Sequence, residues 1–79
     1  MIDSSTSKPI RASTDGMSGP YIMVPVDQLD QVRKLLQANG IPHWVDHNAI
    51  SVDGRPAVAV INLGKGTDPH RVQVLLDAA

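Results

Sequence analysis

The stretch Asn62-Leu63-Gly64-Lys65-Gly66-Thr67-Asp68-Pro69-His70-Arg71 is where chemistry is easiest to imagine, because two glycines flank a lysine just ahead of a helix start. Free backbone amides and the helix dipole favour an anion at such a place, and a lysine adds a point charge. The phosphate-loop template G-x-x-x-x-G-K-[ST] is not met, since Lys65 precedes Gly66 instead of following it. Asp68, as N-cap, would also set its own carboxylate where the anion must sit. Two readings stay open. Gly64, Lys65, Gly66 and Thr67 either hold a small anion or nucleotide, or simply make a tight strand-to-helix connection whose amides Asp68 satisfies.

His43 and His47, with Asp46 between them, invite a metal. On an extended strand the two histidines lie roughly 13 Å apart, too far to share one ion. A turn at residues 46–48 could bring them together, yet zinc would still want further ligands, and His70 is remote in the chain. No metal and no cofactor is expected. Catalysis has as little to work with. There is no cysteine, no serine in a nucleophile-elbow context, and no pair of carboxylates whose spacing argues for acid–base work. Asp27 and Asp30 share a helix start, where capping explains them. Arg33, Lys34, Arg55 and Arg71 read as a solvated surface, and without interleaved aromatics they make a poor platform for single-stranded nucleic acid. The expectation is a protein that is not an enzyme.

With 79 residues and a formal net charge of −1, the chain holds at most one small domain and no field that would draw in nucleic acid or an acidic membrane. Absence of cysteine excludes disulfide staples and thiolate metal sites. No stretch is apolar enough for a signal peptide or a membrane span, so a cytoplasmic protein is expected. All eight acidic residues are Asp, a residue that favours caps and turns over helix interiors, so their positions act as punctuation.

The elements that would position these groups follow from periodicity. Residues 1–18 carry five Ser and two Thr and few large apolar groups, so burial cannot offset the entropy of ordering them; a disordered tail is expected. Residues 19–79 form the domain. Tyr21-Ile22-Met23-Val24-Pro25-Val26 reads as a strand, with Pro25 at an edge or leaving the ladder. Asp27 then caps a helix over 28–39 whose Leu29, Val32, Leu35 and Leu36 recur at helical spacing, and Gly40 stops it in the left-handed conformation. Short strands follow near 43–46 and 49–53, either separate or continuous through His47-Asn48. A hairpin at Asp53-Gly54-Arg55-Pro56 leads into a strand over 57–63. Asp68-Pro69 opens a second helix that buries Val72, Leu75, Leu76 and Ala79.

This order, βαββα, fits a two-layer α+β domain of ferredoxin-like, split βαβ layout: one antiparallel sheet with both helices on one face. Helices can then shelter only one face, yet both strands are apolar on both sides. In strand 57–63, Val58 and Val60 are expected to meet the helices, with Ala57, Ala59, Ile61 and Leu63 pointing away. Tyr21, Met23, Trp44, Ala59 and Ile61 would make an exposed patch. Such patches mark partners, and the partner expected here is a second copy, as a homo-oligomer or dimer, or another protein.

The segments LLQANGIPHWV and VQVLLDA, the first after a leading strand and the second at the end, resemble the small bacterial domains known as signal-transducing proteins, loosely over residues 21–79. That resemblance implies a ferredoxin-like fold and a regulatory or ligand-sensing role, comparable to nitrogen-regulatory trimers. SVDGRPAVAVINLGKGTDP has no counterpart there, so no functional residue is carried over.

Overall fold

The computed structural model describes residues 1–4, 6–14, 19–50 and 57–79. Its elements run β1 (Ala12–Ser13), β2 (Tyr21–Pro25), α1 (Leu29–Ala38), β3 (Trp44–Ile50), β4 (Val58–Asn62) and α2 (Pro69–Ala78). All pairings are antiparallel, in the order β1-β2-β4-β3. The molecule is therefore α+β, with two helices and one four-stranded sheet. From β2 onward the elements follow the expected βαββα order. The strand order differs from expectation by the strand at the N-terminal side.

Both helices end and begin on local chemistry. After α1, the amide of Gly40 donates to Gln37 O and that of Ile41 to Leu36 O, with Gly40 at φ +66: a Schellman stop whose following residue, Ile41, is buried. At the start of α2 the Asp68 carboxylate accepts the His70 amide at 2.9 Å, and Pro69 takes the first helical position. Asp27 departs from its expected role. Val26–Gln28 form a 3-10 turn, Gln28 stands at the N-cap of α1, and no side chain caps that helix. The helix therefore starts later than expected, since the turn leaving Pro25 uses up the residues that Asp27 would have capped.

Val32 and Leu36 of α1 and Val72 and Leu76 of α2 join Ile22, Val24, Ile61 and Leu63 in one core, so both helices cover the same face of the sheet. Each such side chain contributes about 1.5–3 kcal/mol relative to exposure. Register decides which strand residues take part. Ile22 pairs with Ile61 and Val24 with Ala59, whereas Met23 pairs with Val60 and Pro25 with Val58. Paired residues share a face, so the expected facing of β4 is inverted: Ala59, Ile61 and Leu63 are buried toward the helices, while Val58 and Val60 lie with Met23 on the other side and are half-buried. Ala59 and Ile61 thus leave the expected exposed patch. A run that is apolar at every position carries no parity signal, and a one-residue shift exchanges its faces.

Pro25 ends β2 as its chemistry requires. The Val26 amide turns toward β4 to reach Ala57 O, so the nitrogen of Pro25 faces away, beyond the short β1. His47-Asn48 does not interrupt β3, which is continuous, but the β3–β4 register shifts between Asp46 and Ile50. The expected hairpin at Asp53-Gly54-Arg55-Pro56 lies outside the described residues.

The N-terminal segment is the largest departure. Expected to be disordered over 1–18, its described part packs on the domain: Ile10 is 2 % exposed in the core and Met1 packs against it. Two glutamine amides clasp its backbone. Gln73 accepts from the Ala12 amide and donates to Ile10 O; Gln28 accepts from the Ser4 amide and donates to Ile2 O. A primary amide offers one donor edge and one acceptor edge, so it pairs with an extended backbone as a neighbouring strand would. One buried isoleucine and these pairings oppose the ordering entropy that polar composition alone could not.

Candidate functional site

The side of the sheet away from both helices carries two cross-strand rows that reach β3. Ser13, Tyr21, Asn62 and Trp44 lie in register across all four strands, and Met23, Val60 and Asp46 across the next three. Met23 is 47 % exposed and Trp44 54 %, while Tyr21, Val58 and Val60 are half-buried. Of the residues expected at an interface, Tyr21, Met23 and Trp44 come together here. Val58 and Val60 belong with them and were missed, for want of a parity signal.

Trp44 stands at the corner of this face, close to the connection into α2. A Cβ built on Gly64 would come within 3.5 Å of its ring, so the indole lies over a position that has no side chain. The connection itself is a turn: the Thr67 amide donates to Gly64 O at 3.3 Å, the Thr67 hydroxyl donates to Leu63 O, and Gly64 sits at φ +80. Gly19 braces it from the other side. A Cβ there would meet the backbone of Gly64 and Lys65 at 2.9 Å, a contact only glycine permits.

A groove of about 550 Å³ runs beside Trp44, bounded by Pro42, Gly64, Gly66, Thr67, Asp68 and Arg71 among others. Three of the four residues considered for an anion, Gly64, Gly66 and Thr67, line it, and Lys65 is exposed. The Asp68 carboxylate is engaged at the helix start, the Thr67 hydroxyl on Leu63, and Arg71 reaches Asn39 O at 3.3 Å. A negative charge at the head of α2 is therefore already present.

On the other side of Trp44, between the start of β3 and α1, lies a recess of about 340 Å³ bounded by Leu29, Arg33, His43, Trp44 and Val45. His43 Nδ1 is 2.9 Å from Ile41 O; a carbonyl oxygen only accepts, so Nδ1 carries the proton. Arg33, read from sequence as plain solvated surface, is half-buried, and its Nε is buried with no hydrogen-bond partner. Its position one turn after Leu29, at the margin of the apolar stripe, was the only signal available.

Among the described residues, no group of three or more His, Cys, Asp or Glu side chains is arranged to hold a metal ion, and no helix is long and apolar enough to cross a membrane. The chain matches no protein-family model, and no curated protein or solved structure matches it.

Proposed function

We propose that this chain is a non-enzymatic regulatory module that self-associates, as a dimer, through the open face of its sheet. The observation that carries the reading is the apolar content of that face: Met23 and Trp44 about half exposed, with Tyr21, Val58 and Val60 between and beside them. A face of this kind on a small domain gains most from a partner, and a second copy about a two-fold axis is the commonest one. Asn62 favours such pairing, because its amide both donates and accepts and can bond its own copy across the axis. Resemblance to the small bacterial signal-transducing domains points to the same regulatory class. The ferredoxin-like reading of the fold belongs with it and draws support from β2 and β3 both running antiparallel to β4 between them, with α1 connecting the two.

Sedimentation equilibrium on the purified chain tests this. Twice the monomer mass is expected, falling to the monomer mass in Met23→Asp/Val60→Asp with an unchanged circular dichroism spectrum. A wild-type monomer across the micromolar range would overturn it.

The second reading, a small-anion or nucleotide sensor at Gly64, Lys65, Gly66 and Thr67, draws support from the groove that three of these residues line. It requires the anion to coexist with Asp68. A rise in melting temperature with phosphate compounds, lost in Lys65→Ala, would favour it over self-association.

A further inference from the structure

We propose that the recess between β3 and α1 binds small monocarboxylates, with Arg33 as the anion-binding residue. This stands independently of self-association, because the recess opens between β3 and the helix layer. At about 340 Å³ it is at the small end of ligand sites, the size for a benzoate or a branched aliphatic acid. Leu29 and Val45, both packed against the core, supply apolar walls that suit the body of such a molecule.

The charge of the lining selects the head group. Among the described residues, Arg33 is the one permanent cation of the lining, and no carboxylate lines it. Asp30, one turn earlier on α1, and Gln37, one turn later, are exposed and do not bond the Nε of Arg33. Its Nε–H is buried without an acceptor, a condition native proteins seldom leave unrelieved. A rotation of the guanidinium that uncovers Nε would bring Nε–H and one Nη–H onto the two oxygens of a bound carboxylate, in the side-on fork that this pair favours. A phosphate dianion would want a second cation, and Lys65 does not reach the lining. His43, whose Nδ1–H is committed to Ile41 O, keeps Nε2 for a ligand donor.

The test is a titration of the full chain with benzoate and 3-methylbutanoate, followed by proton–nitrogen NMR of the Arg33 Nε–H and the backbone amide of Val45 in the recess lining. Saturable shifts at both groups are expected, with a dissociation constant on the order of 1 mM, and benzamide should bind at least about tenfold more weakly. Arg33→Gln should abolish benzoate binding while the melting temperature holds. Arg33→Lys should retain charge but lose about tenfold, because it lacks the fork. Equal binding of benzamide and benzoate, tighter binding of inorganic phosphate, unchanged binding in Arg33→Gln, or no saturable shift would each overturn the proposal. If Arg33→Gln fails to fold, the benzoate-against-benzamide comparison on the wild-type chain decides it.

Discussion

The two faces of the sheet both carry large apolar residues, and these have opposite fates. On one, Ile22, Val24, Ala59 and Ile61 are closed off beneath both helices; on the other, Met23 and Trp44 stand about half exposed with Val58 and Val60. Apolar type alone does not separate them, since valine stands on both, Val24 and Val45 on the covered face and Val58 and Val60 on the open one. What separates them is the number of helices available and the register that assigns each residue a side. An apolar side chain is thus core or candidate interface by placement, not by type.

Exchanging one residue for its neighbour on β4 tests the distinction most severely. Ile61→Ala should cost about 2–5 kcal/mol in urea unfolding, and Val60→Ala less than about 1.5 kcal/mol, with any larger effect confined to association. The reverse ranking would show that β4 is turned over. Next comes the edge of the covered face: Ile10→Ala should lose about 2 kcal/mol and speed hydrogen exchange at the Ala12 amide, which a detached N-terminal segment would not show. Smaller still is the anchoring of the helices that do the covering. Asp68→Ala should cost about 1 kcal/mol as a lost cap, whereas Asp27→Ala, with no cap bond to lose, should stay within about 0.5 kcal/mol by thermal denaturation. The smallest effect on stability belongs to the open face, where Met23→Asp should shift unfolding by less than about 0.5 kcal/mol at protein concentrations low enough to dissociate a dimer, and still reduce the sedimenting mass at high concentration.

Much of the fold was legible because it rests on short-range chemistry. Asp68-Pro69 opened α2 and Gly40 closed α1 where they were read to do so, and the disturbance expected at His47-Asn48 is present as a register shift between Asp46 and Ile50. The candidate site was legible only in part. Tyr21, Met23 and Trp44 could be named from a strand with two apolar sides, but exchanging Val58 and Val60 for Ala59 and Ile61 needed the pairing of Met23 with Val60. Arg33 gave no hint of its buried Nε, since burial of a long cationic side chain depends on what a distant strand brings beside it.

The sequence by itself determined the order of helices and strands from Tyr21 onward, with the stop of α1 at Gly40 and the start of α2 at Asp68-Pro69, because caps, turns and periodicity are settled among residues a few positions apart. Only the tertiary structure decided which side of β4 meets the helices, that a polar N-terminal segment becomes a strand through Ile10 and two glutamine amides, and that Arg33, His43 and Trp44 border one recess. Those outcomes turn on hydrogen-bond register and contacts between segments far apart in the chain, and no local pattern of side chains encodes them.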